Sequence, residues 1–315
     1  MLSMTQPNVI AGRKIMAKSA SSMRTYLTCP RKYALSRDWE QKHEPTAFTR
    51  GTLVHFGIIE GFMKNLSLSA ALGGVSIELE KMSESIENVS GFEDKELRKV
   101  RAYIKGYYAH NNQEDFFREF EVMATESAFE FSYRNQRFSG RIDALLRRKA
   151  TGEVILYELK TTSSNVSDPD HPYWSRLNMD TQLAIYNQYV KSSVGRHPRV
   201  MYEVIMTSQA RPKKNETPKQ YEERLTEEYR ESPGKYKRME FELLQSKHEA
   251  KMGELVYLGQ AIDHDLLLPR NDSACFSNYG TCQFFTVCSW GSNPDESLYL
   301  KKKEKKEEEI NEFPF

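Results

Sequence analysis

The chain has 315 residues, 39% of them hydrophobic with 16 Phe and 17 Tyr, enough to build a core and to exclude a disordered polymer. Its net charge of +1 excludes a global field that would draw it onto polyanions, so any nucleic-acid contact has to come from local patches. No apolar run reaches membrane-spanning length, and the polar opening MLSMTQPNVIAGRK lacks the apolar core of a signal peptide, so a soluble, cytoplasmic protein is expected.

In chain order, residues 1–18 read as a flexible leader. Ser19-Ala-Ser-Ser offers a helix N-cap, and Met23, Tyr26, Leu27, Tyr33 and Ala34 recur at helical spacing. Cys29-Pro30 interrupts that run, which predicts two helices meeting at Cys29. A second helical stretch from Thr49 to about Leu72 carries Gly51, Leu53, Val54, His55, Ile58, Ile59 and Phe62, and Gly73-Gly74 is expected to break it. Another runs from Glu93 to His110. Strands follow over Glu121–Tyr133, a turn at Asn135, and a hairpin with arms Phe138–Arg148 and Glu153–Lys160 around Thr151-Gly152. After a polar loop, a helix beginning near Trp174 carries Asp180, Gln182, Leu183, Ile185, Tyr186 and Tyr189. His197-Pro198 ends it, and Arg199–Met206 is a further strand. Residues 208–237 are charged and contain three prolines, and read as a solvated insertion in preference to a helical arm over a groove. Glu240–Leu267 reads as an amphipathic helix and 293–315 as a charged tail, frayed on the surface. The order strand, strand, strand, helix, strand predicts an α/β fold: a mixed central sheet flanked by helices.

The hairpin carries unusual chemistry. Asp143 interrupts an apolar arm, and Glu158 and Lys160, two residues apart on a strand, face the same side. Such groups at the edge of a buried sheet are costly unless they hold a cation or each other. The pattern D-x14-E-x-K suits a hard divalent cation such as Mg²⁺ or Mn²⁺; a salt-bridged hairpin is the plainer alternative. The four cysteines are placed unevenly, with Cys29 near the start and Cys275, Cys282 and Cys288 together near the end. In a reducing cytosol this placement points to a metal site, with free buried cysteines as the alternative.

SASSMRTYLTCPRKYAL, GTLVH, GRIDAL, YELKTT, QLAIY and the cysteine trio occur in an order and spacing that resemble the RecB-like branch of the PD-(D/E)XK nucleases. Within that branch the sequence is most similar to the iron–sulfur exonucleases, including CRISPR-associated, AddB-type and phage members. The resemblance spans residues 20–290 and implies one nuclease domain over 19–292, with N-terminal helices and a C-terminal cysteine segment around the sheet. It further implies that Asp143 and Glu158 bind the catalytic metal, with the Leu159 carbonyl and His55 as further ligands. Imidazole would shift the preference toward Mn²⁺ over Mg²⁺. Lys160 would orient or deprotonate the attacking water or stabilise the phosphate. Gln182 and Tyr186, matching a Q-x3-Y element, share a helix face and reach the site. Glu126 is not fixed by the resemblance and is left outside this core set.

By the same resemblance Cys29, Cys275, Cys282 and Cys288 bind a [4Fe–4S] cluster that ties the two ends of the chain together. The x5 interval before Cys288 fits the family and the x6 interval before Cys282 is longer than usual, so structural Zn²⁺ is the alternative. Arg31, Lys32, Arg141, Arg147, Arg148 and Lys149 are candidate phosphate contacts, with solvated strand ends as the alternative for the last three. The implied activity is metal-dependent DNA hydrolysis, as an exonuclease on ends or single strands in recombination, repair or phage and CRISPR processing. The alternative is an inactive DNA-binding or scaffolding relative. No P-loop is present, so unwinding would fall to a separate helicase or recombination partner.

Overall fold

The computed structural model describes residues 16–42, 46–85, 94–264, 269–277, 280–291 and 293–302. Local chemistry sets the first elements. Ser19 ends a short strand, β1 (Lys18–Ser19), and caps α1 (Ala20–Thr28) by accepting the Ser22 N–H at 3.2 Å. Cys29 is extended and its sulfur accepts the Lys32 N–H. It therefore closes α1 and opens α2 (Pro30–Asp38), with proline where no helical N–H is required. Then come β2 (Trp39–Gln41), α3 (Thr46–His55), a π-helical turn over Phe56–Phe62, α4 (Leu68–Ser85), α5 (Asp94–His110) and α6 (Gln113–Glu119). The helix expected over Thr49–Leu72 is thus divided at 63–67, where Asn65 turns through φ 58°. Gly73-Gly74 does not break a helix but lies inside α4. Gly74 is needed there for contact, since a Cβ would stand 2.8 Å from the Phe56 ring.

The strands β3 (Phe120–Tyr133), β4 (Gln136–Arg148) and β5 (Glu153–Thr162) form an antiparallel meander. The chain crosses through α7 (Pro172–Ser175), a 3-10 turn over Arg176–Met179 and α8 (Thr181–Val194) to β6 (Arg199–Met206), parallel to β5. After α9 (Pro218–Glu231), the edge strand β7 (Tyr236–Phe241) pairs antiparallel to β6, and α10 (Gln245–Asp263) follows. The sheet order is β1-β4-β5-β6-β7, with β3 on the other edge of β4. Alternation along the strands divides the core. Leu145, Leu156 and Val204 pack with α8 and α10, while Leu146, Ile155, Leu159 and Ile205 pack with α3 and α5. A C-terminal module holds β8 (Phe276–Ser277), β9 (Gly280–Thr281), α11 (Phe285–Trp290) and β10 (Tyr299–Lys301).

Four expectations are corrected. The leader does not extend to residue 18: β1 pairs parallel with β4, and buried Lys18 contacts Asp263 at 2.7 Å and Gln136 at 3.0 Å. Residues 1–15 lie outside the described residues. The 208–237 segment is not a solvated insertion, because α9 buries Tyr221, Leu225 and Tyr229 at i, i+4 and i+8, an apolar stripe narrow enough to hide among charges. Glu240 belongs to β7 and not to the following helix. Finally, Tyr299–Lys301 is no tail but pairs antiparallel with Trp39–Gln41, while 303–315, including the frayed-helix expectation, lie outside the described residues. No described helix is long and apolar enough to cross a membrane.

Candidate active site at a strand fork

The register of β4 with β5 runs from Arg148↔Glu153 to Ala144↔Tyr157. The next pair would be Asp143 with Glu158, and there the strands part. β1 occupies the same edge of β4 only at Phe138 and Ser139, so residues 140–143 face no strand on that side. The groups released by the fork find other partners, as buried backbone groups must. The Leu159 N–H donates to Asp143 Oδ2 at 2.8 Å, and the Arg141 N–H donates to the Tyr186 hydroxyl at 3.3 Å. Gly140 makes that second contact possible, since a Cβ there would stand 2.5 Å from the Tyr186 ring. GRIDAL and QLAIY therefore meet through one close approach.

The helix expected from Trp174 is split, because Asp180 does not ride on it. Asp180 caps α8, accepting the N–H groups of Gln182 and Leu183 at 2.8 and 3.0 Å. The cap starts α8 one turn from the fork and directs Gln182 Nε2 onto Glu158 Oε1 at 2.5 Å.

Strand alternation turns Asp143, Glu158 and Lys160 to the α8 face, and His55 arrives at the end of α3. Asp143 is 7% and Glu158 1% exposed. Lys160 pairs with Glu158 Oε1, and His55 Nδ1 lies 3.6 Å from Asp143 Oδ2. Among the described residues, buried Glu158 Oε2 has no hydrogen-bond partner. The titrations reflect the crowding. Burial, then the Asp143 charge, pushes Glu158 up to about 7, and burial also raises Asp143. Burial opposes the Lys160 charge, but the Glu158 and Asp143 carboxylates outweigh it and keep the ammonium protonated. Burial and then Lys160 lower His55 to about 4, so its ring is neutral and able to act as a ligand. The Leu159 carbonyl, implied as a metal ligand, is within hydrogen-bond reach of that ring.

Glu126, left outside the core set at the sequence level, belongs to this cluster. Ligand atoms of His55, Glu126 and Asp143 all lie within 4.8 Å of one another. The signal was available: β3 and β4 join at a two-residue turn, Arg134-Asn135, with φ of 47° and 63°, and Glu126 and Asp143 are equally far from it. The pairs Thr125↔Ala144 and Ser127↔Ile142 flank them. Glu126 itself has φ 44° in mid-strand, a conformation costing a non-glycine residue about 1–3 kcal/mol. Burial, then Asp143, pushes its carboxyl up to about 7. Two converging carboxylates, Glu126 and Asp143, and a neutral imidazole, with the unmatched oxygen of buried Glu158 at the same fork, are a donor set that a divalent cation fits.

The four cysteines are free thiols, grouped where the C-terminal module meets Cys29 at the end of α1. Asn271 docks the C-terminal module on Cys29, its N–H at 3.5 Å from the sulfur and its side chain on the Thr28 carbonyl at 2.8 Å. The Cys282 N–H donates to the Cys275 carbonyl at 2.8 Å. Burial raises the Cys275 thiol, and the neighbouring Cys282, Cys288 and Cys29 raise it further. Leu35, Phe284, Val287 and Tyr299 form a small core against this group.

Arg147, Arg148 and Lys149, candidate phosphate contacts, are engaged elsewhere. Arg147 pairs with Glu121 at 3.0 Å, Arg148 with Glu240 at 2.7 Å, and Lys149 donates to the Phe117 carbonyl at 2.6 Å. They sit at the closed end of the hairpin, away from the fork, where cross-strand neighbours neutralise them.

No relative among curated proteins matches this chain. Solved structures similar to this chain include these two. One, from Eubacterium rectale and described as a putative exonuclease, is 10% identical, with a TM-score of 0.48 over 82% of this chain and 86% of its own. The other, SSO0001, is 18% identical, with a TM-score of 0.30 over 65% of this chain and 79% of its own. The sequence model of one family matches residues 17–289, a span that includes β1, the fork, α8 and all four cysteines. On that match, the chain belongs to the PD-(D/E)XK nuclease superfamily.

Proposed function

We propose that this protein is a metal-dependent deoxyribonuclease of the RecB-like branch that hydrolyses phosphodiester bonds as an exonuclease at DNA ends or in single strands. The observation carrying the reading is the fork, where Asp143 and Glu158 are buried together with Glu158 Oε2 unpartnered and Lys160 charged beside them. Nucleases of this superfamily use divalent metals. Asp143, Glu158, Glu126, His55 and the Leu159 carbonyl would hold the ion, which supplies Lewis acidity and a bound, acidified water. Within the chain, Lys160 stabilises charge on the phosphate and orients the nucleophile. Deprotonation of the attacking water is its alternative role. Gln182 fixes the free rotation of Glu158, and Tyr186 braces the Arg141 backbone at the fork. The imidazole favours Mn²⁺ over Mg²⁺. The exonuclease mode, the branch and a helicase or recombination partner rest on the motif resemblance.

The cysteine quartet reads as a [4Fe–4S] site. Four thiols gathered from the two ends of the chain supply the ligands that such a cluster needs, and the choice of cluster over structural Zn²⁺ rests on the motif resemblance.

The test is cleavage of end-labelled single- and double-stranded DNA with Mn²⁺ by anaerobically purified protein. Wild type cuts and yields a ladder, while Asp143→Ala and Lys160→Ala lose at least about a thousand-fold in rate. A protein that binds DNA and carries iron yet cuts nothing would make it an inactive scaffold.

A further inference from the structure

The loop after β6 lies at the same end of the sheet as the fork. Thr162 is matched to Met206, and the Thr207 N–H donates to the Thr162 carbonyl at 2.7 Å. Thr162 is two residues beyond Lys160, about 7 Å along a strand. From there the chain enters Ser208–Asn215, whose backbone is fixed at successive points. The Ser208 N–H donates to the Tyr103 hydroxyl at 3.0 Å, and the Tyr221 hydroxyl donates to the Ala210 carbonyl at 2.9 Å. Arg224 donates to the Arg211 carbonyl at 3.1 Å, and the Lys213 N–H donates to Glu216 at 2.8 Å. Asn215 turns through φ 70°, and Thr217 with Gln220 forms a capping box that opens α9. Arg224 also grips Glu216 through two nitrogens, at 2.6 and 2.9 Å.

On this fixed frame Arg211, Lys213 and Lys214 are exposed, and none of them forms an ion pair among the described residues. The contrast with the adjoining helices is sharp: Arg98, Arg101 and Lys105 of α5 all converge on Glu222 of α9. Three like charges on one ordered stretch repel one another, and the one acid beside them among the described residues, Glu216, is already held by both oxygens on Arg224, so the loop keeps a net positive charge. Solvation alone would be served equally well by a mobile loop. An ordered, net-basic loop at the same end of the sheet as the fork is complementary to a polyanion that continues past the site.

We propose that Arg211, Lys213 and Lys214 seat the phosphodiester backbone of the DNA strand whose scissile bond lies at the fork. This assignment rests on the nuclease reading. It places the strand across the open end of β5 and β6, running from the α8 face, where the carboxylates lie, over to the side of α5 and α9.

The test compares full-length wild type with Arg211→Ala/Lys213→Ala/Lys214→Ala, using a fluorescein-labelled oligothymidylate across a salt series and the cleavage assay. The triple variant should bind about ten-fold more weakly, with a log–log salt slope shallower by about 2, three contacts at ~0.7 each. KM rises and kcat holds, and Tm holds or rises because the variant relieves the mutual repulsion of exposed charges that form no ion pair among the described residues; Arg211→Lys keeps the slope. An unchanged affinity and slope in a variant whose parent binds and cuts would overturn the loop assignment alone. A wild type that neither binds nor cuts would overturn the nuclease reading itself, and the loop assignment with it.

Discussion

Two buried glutamates sit on neighbouring strands of this sheet, each 1% exposed, and they are treated in opposite ways. Glu203 of β6, in register with Leu159, accepts from the Tyr157 hydroxyl at 2.6 Å and the Tyr107 hydroxyl at 3.2 Å. Arg238 completes its shell at 3.0 Å from Oε2 and 3.2 Å from Oε1. Both oxygens are satisfied, which is what a structural buried charge requires. Glu158 of β5 has one oxygen engaged by Lys160 and Gln182 and the other unpartnered, with Asp143 beside it. The fold has the means to neutralise a buried carboxylate and uses them fully at Glu203, as at Glu96 and Glu222, but not at Glu158. Incomplete compensation at the fork is thus a property of the site and not of the sheet.

Mutations should separate the two. Asp143→Ala should abolish cleavage, by at least about a thousand-fold, while the thermal stability of the metal-free protein holds or rises. Glu203→Ala should do the reverse, costing about 3–5 kcal/mol in denaturant unfolding by stranding Arg238 and two tyrosine hydroxyls, with kcat of the folded fraction retained. If Glu203→Ala left stability intact, the contrast between the two glutamates would collapse.

Gly140→Ala probes the link between the fork and α8. The added methyl would meet Tyr186 at 2.5 Å and Phe129 at 2.8 Å. Overpacking of that kind costs about 1–3 kcal/mol. Displacement of Tyr186 should also lower kcat by ten- to a hundred-fold, on the order expected for ångström-scale misplacement. Normal kinetics in this variant would mean that α8 only packs against the site.

The smallest effect is in pH. Glu158 and Glu126 stand at about 7 in the folded protein against an ordinary 4.5. Their folded values are raised, so their contribution to stability is full below about 4.5 and is lost as pH rises through about 7. His55, lowered from 6.5 to about 4, acts oppositely, its contribution being present above 6.5 and lost as pH falls through 4. Two carboxylates outweigh one imidazole. In EDTA the melting temperature should therefore fall between about pH 5 and pH 8, and Mn²⁺ should flatten or reverse the trend. A metal-insensitive melting temperature, equal at both pH values, would mean that the fork is as well compensated as Glu203.

The sequence by itself determined the parts of this protein that depend on local chemistry. Period-two alternation and the Thr151-Gly152 turn set the β4–β5 hairpin, Cys29-Pro30 set the α1–α2 joint, and D-x14-E-x-K set two acids equidistant from a turn, hence adjacent in register. Glu126 was legible by the same counting from Arg134-Asn135, but its own environment is polar and partly open and so lacked the buried-acid signal that marked Asp143. Only the tertiary structure decided the rest. The tyrosine stripe of α9 is apolar only once α5 lies against it, and the cations of Arg147–Lys149 are neutralised by strands distant in sequence. Likewise the fork itself exists because β1, more than a hundred residues upstream, pairs with β4 just short of the gap. Local rules fix dihedral angles and register; which surfaces become buried, and which charges remain unpaired, is settled by contacts between segments that no local rule connects.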